Sequence, residues 1–286
     1  MLTKSFLKRI AREILGEELA KTIWSRMEIL GDILIIRIPY NVDVDILKPL
    51  AERVLKELPY LKSVWGGFPG VKGDYRLRQY VHLAGEKRSE TIYKEYGCVF
   101  KIDFTKVYVS PTLSYEHYRV ARLVEKDEVV TNMFAGAGFF SIIIAKYSKP
   151  KLVYSIDINP DAYRYMVENI KLNKVENIVI PLQGDAAEII EKDIHDSSDR
   201  VLMPYPDIAL DYLIYGVKAL RDKGWIHVYL HVNAGRGEDP VKKAEDVLSN
   251  KLSELNIRDY FVKFGRIVRL IGPRKYQVVL DTFINR

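Results

Sequence analysis

Two glycines in a short turn constrain the fold of this chain most. Residues 129–145 read VVTNMFAGAGFFSIIIA, and a second apolar run, residues 152–157, ends in Asp157. A short unbroken apolar run is typical of a buried parallel strand, and Gly136 and Gly138 let the backbone approach a ligand at the N-terminus of the next helix. Asp157 follows by about 20 residues, where a carboxylate accepts both ribose hydroxyls. The segment predicts a nucleotide-type binding unit, with an ordinary tight turn between strand and helix as the alternative.

The glycine pattern by itself leaves the cofactor open. It lacks the third glycine of GxGxxG and the Lys-Ser/Thr pair of a P-loop, so NAD competes with S-adenosylmethionine. Two glycines suffice where no pyrophosphate has to be held, and the segment DINP at 157–160 opens a helix that ends in NIKLN at 169–173. These details favour S-adenosylmethionine.

Length and composition limit the class of protein. With 286 residues, 48% of them hydrophobic, the chain is expected to form two domains or one large domain with an appendage. It contains no run of 18 apolar residues, and its start lacks a signal-peptide pattern, so a cytoplasmic protein without a membrane partner is predicted. A single cysteine, Cys98, excludes a disulfide framework. The five histidines show no paired ligand spacing, and no metal site is predicted.

The net charge of +6 is less informative than where the charge lies. Residues 257–286 carry seven lysines and arginines against two aspartates. Such a segment suits contact with RNA phosphates, although it also suits a solvated sheet edge protected by positive charge. The phosphate interpretation assigns substrate contacts to Arg266, Arg269, Arg274 and Lys275.

The order of elements predicts an N-terminal α+β domain that positions RNA, residues 1–100, and a cofactor-binding catalytic domain, residues 101–286. The first contains helices at 1–24 and 44–58, strands at 33–38 and 63–65, and a hairpin at 91–104. In the second, apolar runs alternate with helical patterns, including 207–221 and 240–255, which predicts a parallel, doubly wound sheet. Adjacent strands at 260–270 and 276–283 then predict an antiparallel hairpin that closes a seven-stranded sheet. That α/β, Rossmann-like arrangement is typical of class I methyltransferases rather than dehydrogenases.

Ligands in such sheets bind at the carboxyl ends of the strands. Asp185 follows the third strand, where it either accepts the adenine amino group or caps the next helix. After the strand ending at residue 203, Pro204 and Pro206 fix a loop in which Tyr205 is placed to stack on a base, with simple loop packing as the alternative.

An ordered series of motifs covers the chain from about residue 25. It comprises VKGDYRLR (71–78), LAGE (83–86), TIYKEYG (91–97), VYVSP (107–111), Glu116, NMFAGAG (132–138), DINP (157–160), NIKLNK (169–174) and DRVLM (199–203). This series resembles the archaeal and eukaryotic tRNA guanine-37 N1-methyltransferases. Their superfamily includes the wybutosine-pathway transferases, which move an aminocarboxypropyl group from the same cofactor to the same tRNA nucleoside.

The resemblance implies roles for individual residues. Tyr108, Phe134 and Asp157 are expected to contact the cofactor, Arg76 to stabilise negative charge on guanine O6, and Glu116 to act as the general base. Guanine N1 carries a proton at pH 7, so methyl transfer to it needs a base and a cation near the developing oxyanion. Spacing alone would leave Arg76 and Glu116 as ordinary surface charges. Arg78, two residues beyond Arg76 in the same predicted exposed segment, is expected to contact the substrate.

The chain departs from the methyltransferase pattern at three places. Pro-Tyr-Pro at 204–206 replaces the usual Asn-Leu-Pro, and the aminocarboxypropyl branch also lacks that asparagine and carries a tyrosine near Tyr205. Asn132, Phe139 and Thr112 replace an acidic residue, a proline and an arginine. The separate N-terminal domain with which many archaeal methyltransferases check the tRNA elbow is expected to be absent, as in the aminocarboxypropyl branch. The segments DINP, RLR and LAGE match the methyltransferase branch better.

We therefore predict an S-adenosylmethionine-dependent tRNA methyltransferase, monomeric, that acts on the purine at position 37 of the anticodon loop. The expected reaction is N1-methylation of guanosine, or else methylation of a tricyclic wyosine intermediate. Aminocarboxypropyl transfer to the tricyclic precursor is the alternative reaction. An RNA-binding module that has lost catalysis is a second alternative, against which the presence of Asp157, Glu116 and Arg76 argues.

Overall fold

The computed structural model describes residues 4–25, 27–39, 42–71, 73 and 75–286. The chain divides into two compact units, residues 1–111 and 112–286. The domain boundary predicted from the sequence lies about ten residues earlier, so the whole hairpin predicted at 91–104 and Tyr108 belong to the first unit. Within the described ranges, no helix combines the length and the apolar character needed to cross a bilayer.

The first unit packs two helices on a four-stranded sheet. The helices are α1 (Lys4–Thr22) and α2 (Leu47–Glu57), and the strands are β1 (Met27–Leu30), β2 (Ile33–Arg37), β3 (Ser63–Gly67) and β4 (Tyr80–Gly85), in sheet order β1-β2-β3-β4. Strands β2 and β3 are parallel, and the other two pairs are antiparallel. Strands β5 (Glu90–Glu95) and β6 (Cys98–Asp103) form the predicted hairpin. The sequence reading missed β1 and β4, and the helix predicted at 1–24 is interrupted at Gly16, whose φ is 79°.

The second unit is a seven-stranded sheet flanked by helices. Its elements are α3 (Ser114–Ala121), β7 (Val129–Asn132), α4 (Phe139–Tyr147), β8 (Leu152–Asp157), α5 (Pro160–Leu172), β9 (Val179–Gln183), α6 (Ala186–Asp193), β10 (Ser198–Met203), α7 (Leu213–Ala219), β11 (Leu220–Asn233), α8 (Pro240–Glu254), β12 (Tyr260–Gly272) and β13 (Lys275–Asn285). The sheet order is β12-β13-β11-β10-β7-β8-β9. The strands from β11 to β9 in this order pair in parallel, and β13 is antiparallel to both β11 and β12. The predicted class I sheet with its closing hairpin is confirmed.

Local sequence explains the ends of these helices. The Asn159 side chain accepts a hydrogen bond from the Asp161 N–H, and Pro160 occupies the first position of α5, where its missing N–H costs nothing. Residues 139–145 of α4 are all buried, which is why FFSIIIA has no polar face. The helix predicted at 207–221 is only α7, because β11 begins at Leu220 and pairs with β13 from Lys223 to Asn233. Tertiary pairing thus outweighs the local helical pattern.

The topological switch point of the sheet lies beside β7. Its two neighbours are β8 and β10, and the chain beyond β7 stays bonded to both. The Met133 N–H donates to the Leu202 carbonyl at 3.0 Å, and the Ala135 N–H donates to the Ile156 carbonyl at 2.8 Å. In open α/β sheets the ligand crevice forms at this point, outside the carboxyl ends of the strands.

Candidate cofactor and catalytic site

The turn after β7 is shaped by its glycines. Gly136 has φ 56° and Gly138 has φ 90°, in the left-handed region that favours glycine. Gly138 is also the N-cap residue of α4. A Cβ atom on Gly138 would lie 3.1 Å from Ile142 Cδ1 and 3.2 Å from Met166 Cγ, so these side chains of α4 and α5 would have to shift to admit one. The turn therefore brings backbone N–H groups and a helix N-terminus to the switch point.

Asp157 faces this turn from the end of β8. Its Oδ2 accepts a hydrogen bond from the Gly136 N–H at 2.6 Å, and its Oδ1 accepts one from the Asn159 N–H at 2.9 Å. Burial raises the pKa of the Asp157 carboxyl, and these two hydrogen bonds oppose that effect. Each carboxylate oxygen keeps a further lone pair for a hydroxyl donor. The glycine turn and the fixed carboxylate together fit the ribose and methionine arm of S-adenosylmethionine.

Asn169 on α5 supports the turn from behind. Its buried side chain donates from Nδ2 to the Ala137 carbonyl at 3.0 Å, between the two glycines. Asn173 in turn donates to the Asn169 carbonyl at 2.8 Å. The sequence marked both asparagines as a pattern without assigning this contact.

An aromatic cluster joins the cofactor turn to the loop after β10. The Phe134 ring lies edge-on to Tyr205 and Tyr212, at centroid distances of 5.6 and 5.4 Å. Asp185 caps α6 by accepting from the Ala187 and Glu188 N–H groups, and its Oδ2 also accepts from the Tyr212 hydroxyl at 2.5 Å. Burial and this hydrogen bond raise the pKa of Tyr212 to about 12. The capping alternative for Asp185 is therefore observed, its adenine contact stays a prediction, and Tyr212 was missed.

Pro204 and Pro206 flank Tyr205 in this loop. Pro206 is buried, whereas Pro204 and Tyr205 are half-buried, so the loop is packed on the unit and still presents part of the tyrosine. A stacking role for Tyr205 stays a prediction.

Glu116 on α3 is buried rather than on the surface, with 1% of the residue exposed. Three donors surround its carboxylate. Arg119 Nε lies 3.0 Å from Oε2, the Tyr229 hydroxyl donates to Oε2 at 2.9 Å, and Arg266 Nη1 donates to Oε1 at 2.8 Å. Burial and the charge of Glu116 raise the pKa of Tyr229 well above its ordinary value, so the tyrosine donates to the carboxylate as a neutral hydroxyl.

Glu116 ends a buried chain of charged and polar groups that crosses β10, β11 and β13. In order, the chain contains Glu128, Arg200, His227, Asp281, Arg119 and Glu116. Arg200 Nη1 donates to His227 Nε2 at 2.8 Å, so His227 is neutral and donates from Nδ1 to Asp281 at 2.6 Å. His227 is fully buried.

Helix α3 packs on the first turn of α4. His117 stacks on Phe139 with ring centroids 5.5 Å apart, and Phe140 meets Tyr229 edge-on at 6.0 Å. Tyr229 thus contacts both the Glu116 carboxylate and Phe140, which lies in the first turn of α4 just after the cofactor turn.

The other predicted groups lie in the first unit. Arg76 has φ 55°, and its guanidinium carbon lies 5.5 Å from the centroid of the Tyr108 ring, so the structure brings these two predicted residues together. Arg78 was expected in an exposed segment, but only 13% of its side chain is exposed, because it pairs with Glu28 at 3.4 Å. Its burial argues that Arg78 also has a packing role.

The four basic residues of the C-terminal hairpin that were predicted to contact phosphates fall into two groups. Arg274 and Lys275 are exposed at the turn between β12 and β13. Arg266 is bound to Glu116, and Arg269 donates to Gln277 Oε1 at 2.7 Å and to Thr112 Oγ1 at 2.9 Å. Strand β12 forms the edge of the sheet, so both the phosphate-contact and the edge-protection interpretations fit.

Comparison with known proteins agrees with this geometry. A family model described as the TRM5/TYW2 methyltransferase domain matches residues 91–256. The chain belongs to the TRM5/TYW2 family. A second model, described as the TYW2 N-terminal domain, matches residues 7–88. Membership of the TRM5/TYW2 family confirms the predictions of an S-adenosylmethionine-dependent enzyme that acts on tRNA.

Relatives from both branches of the TRM5/TYW2 family are similar over nearly the whole chain. The tRNA 4-demethylwyosine(37)-methyltransferase Taw21 of Saccharolobus solfataricus is 44% identical over 282 residues, 99% of this chain and 100% of that protein. The tRNA(Phe) (4-demethylwyosine(37)-C(7)) aminocarboxypropyltransferase of Methanocaldococcus jannaschii is 39% identical over 261 residues, 90% of this chain and 97% of that protein.

Two solved structures of the TRM5/TYW2 family show the same fold with ligands. The complex of aTrm5 and tRNALeu has a TM-score of 0.83 and 34% identity, covering 100% of this chain and 80% of that chain. Methanocaldococcus jannaschii TYW2 in complex with AdoMet has a TM-score of 0.66 and 30% identity, covering 91% of this chain and 100% of that chain.

Proposed function

We propose that this enzyme transfers a methyl group to the base at position 37 of tRNA, in the anticodon loop, with the tricyclic 4-demethylwyosine as its acceptor. Similarity to Taw21 over the full length of both chains supports the choice of acceptor. The Pro-Tyr-Pro loop at 204–206 supports it too, because this loop lacks the asparagine of enzymes that place plain guanine. Guanosine itself is the second acceptor to be tested.

One observation carries the catalytic part of this proposal. The buried carboxylate of Glu116 accepts a hydrogen bond from Tyr229, whose ring packs on Phe140 in the first turn of the helix that follows the cofactor turn. S-adenosylmethionine supplies an electrophilic methyl group on a sulfonium. When that methyl replaces a hydrogen on the acceptor atom, the hydrogen must leave as a proton. We assign this proton to Glu116, whose carboxylate can accept it.

The remaining residues bind and orient the reactants. Gly136, Gly138 and Asp157 hold the cofactor, and the aromatic cluster of Phe134 and Tyr212 holds Tyr205 where a flat base can stack on it. The roles assigned to Tyr108 and Arg76 remain predictions. The cytoplasmic location and the monomeric state expected from the sequence also remain predictions.

Aminocarboxypropyl transfer is the second candidate reaction. It is favoured by the 39% identity to the aminocarboxypropyltransferase and by Tyr205 in the loop. Both reactions begin from the same sulfonium and differ in which of its carbons the acceptor attacks. The residues that orient the cofactor therefore decide between them.

A labelling experiment separates these reactions and acceptors. The enzyme is incubated with tRNA that carries either guanosine or 4-demethylwyosine at position 37, and with S-adenosylmethionine labelled in the methyl group or in the carboxyl carbon. We expect methyl label in the tRNA with the tricyclic base. Carboxyl label in the tRNA would establish aminocarboxypropyl transfer. Methyl label found only in the tRNA with guanosine would show that guanosine, and not 4-demethylwyosine, is the acceptor. If neither tRNA became labelled while cofactor binding stayed intact, the result would support the alternative of an RNA-binding module that has lost catalysis.

A further inference from the structure

We propose that Arg266 masks the catalytic carboxylate of Glu116 in the RNA-free enzyme and releases it when a phosphate of the bound tRNA takes over the guanidinium. This proposal rests on the proposed role of Glu116 as base. It assigns to Arg266 a positioning function in catalysis, in place of a simple phosphate contact.

The two arginines that hold Glu116 differ in how firmly they are anchored. Arg119 also binds Asp281, with Nη1 at 2.5 Å from Oδ2 and Nη2 at 3.1 Å from Oδ1, and only 12% of its side chain is exposed. If Arg119 moved away from Glu116, the buried Asp281 would lose both hydrogen bonds from the guanidinium and would keep the one from His227. Arg266 has 31% of its side chain exposed. It is therefore the arginine that can leave.

Arg266 lies at the edge of the sheet, where a phosphate can reach it. It extends from the edge strand β12, and its guanidinium carbon lies 4.5 Å from the centroid of the Tyr115 ring, which is exposed. The same hairpin carries the exposed Arg274 and Lys275. Arginine forms paired hydrogen bonds to phosphate as readily as to carboxylate, so a nearby phosphate competes directly with Glu116.

The charge balance at Glu116 explains why release matters. The carboxylate contacts Arg119 on α3, Tyr229 on β11 and Arg266 on β12, and Asp281 on β13 lies behind Arg119. With Tyr229 neutral, two carboxylates and two guanidiniums sum to zero. When Arg266 moves away, the buried group carries one net negative charge, which uptake of the substrate proton cancels. Release of Arg266 therefore favours uptake of the substrate proton by Glu116.

Two pH profiles distinguish a releasable mask from a permanent ion pair. The profile of kcat/KM for tRNA reports groups in the free enzyme, and the single-turnover rate of the preformed complex reports groups in that complex. In the wild type we expect the acid limb of kcat/KM to lie at lower pH than the acid limb of the single-turnover rate. Arg266→Gln should move the limb of kcat/KM up by roughly one pH unit or more, and leave the single-turnover limb in place.

Control variants separate this effect from loss of charge or of structure. Lys263→Gln removes a positive charge from the same strand and should move neither limb. Arg266→Lys keeps the charge and should restore the wild-type separation of the limbs. Arg266→Thr provides a second way to remove the guanidinium if the glutamine variant is poorly folded, because threonine is well suited to a β-strand.

Each alternative has its own signature. Equal movement of both limbs in Arg266→Gln would show a permanent ion pair, and movement of neither limb would show a phosphate contact alone; both results overturn the proposal. Failure of the underlying function is seen separately, because Glu116→Gln would then leave the single-turnover rate and its pH profile unchanged.

Discussion

The side-chain amide of Asn169, in the last turn of α5, donates a hydrogen bond of 3.0 Å to the main-chain carbonyl of Ala137. This contact joins a helix on the flank of the sheet to the residue between Gly136 and Gly138. The conformation of the cofactor turn is therefore fixed by a residue more than thirty positions away in sequence.

The Asn169 contact predicts a binding defect without a change at the binding surface. Asn169→Ala leaves the buried Ala137 carbonyl without its donor, which costs about 1–3 kcal/mol. We expect weaker S-adenosylmethionine binding by calorimetry and a lower free energy of unfolding. Asn173→Ala, which removes a hydrogen bond within α5 itself, is the control and should spare the affinity.

Asp157 is predicted to bind the ribose of the cofactor. Asp157→Ala should weaken S-adenosylmethionine binding about tenfold or more, since hydrogen bonds to a charged group are worth about 1.5–3 kcal/mol. Because burial raises the pKa of this carboxyl, wild-type affinity should fall on acidification at a pH above the ordinary aspartate value of about 3.9. Titration calorimetry across pH measures both effects. The control is Asp161→Ala. If both variants bound S-adenosylmethionine with equal affinity, Asp157 would not be part of the cofactor site.

Glu116 is predicted to accept the proton released by the base. Glu116→Gln keeps the size of the buried side chain and removes its basicity, so tRNA and cofactor binding should persist while single-turnover methyl transfer falls roughly 10²–10⁴-fold. Rapid-quench measurements with saturating cofactor give this rate. Glu125→Gln, on the exposed segment after α3, should retain the wild-type rate.

The buried pair of His227 and Asp281 predicts how stability depends on pH. Burial lowers the pKa of His227, and the nearby guanidiniums of Arg200 and Arg119 lower it further. The folded protein then binds fewer protons than the unfolded chain, whose histidine titrates near 6.5, so stability falls as the pH drops below about 6.5. Burial would raise the pKa of Asp281, but the hydrogen bonds from His227 and Arg119 and the positive charge of Arg119 outweigh it and hold the pKa well below its ordinary value.

Urea unfolding between pH 8 and pH 3.5 tests this dependence. The free energy of unfolding should decline below about pH 6.5. It should decline more steeply below about pH 4, because Asp281 takes up a proton there in the unfolded chain but stays ionised in the folded protein. His227→Asn keeps a donor and an acceptor but cannot titrate. This variant should be less stable at pH 8, and its free energy of unfolding should depend less on pH between pH 7 and pH 5. A pH dependence equal to that of the wild type would contradict its assignment to His227.

The exposed basic residues at the hairpin turn are predicted to contact tRNA phosphates. Replacing Arg274 and Lys275 together by glutamine should lower the slope of log affinity against log salt by about 0.7 for each phosphate that the variant no longer neutralises, with folding unchanged. The exposed Lys126 and Lys192, replaced in the same way, provide a charge-matched control. An unaltered slope would show that these residues do not contact phosphates, and would favour the interpretation that they protect the sheet edge.

The sequence by itself determined the sheet, the cofactor turn and the family. Each of these features depends on a few neighbouring residues and can be predicted from them. The apolar runs indicate buried parallel strands, the two glycines indicate a left-handed backbone, and Asp157 is a carboxylate at the end of a strand. The hairpin at the end of the chain was legible for the same reason, since two adjacent strands without an intervening helix leave one simple way to pair.

Only the tertiary structure decided which distant charges meet. The contacts of Glu116 with Tyr229 and Arg266 span more than one hundred residues, and those of Asp281 with His227 and Arg119 depend on strand register and on the packing of α3. No local pattern encodes such pairings, because burial makes a charge acceptable only where its partner is already in place. The environment that makes Glu116 a candidate base is therefore a property of the folded sheet.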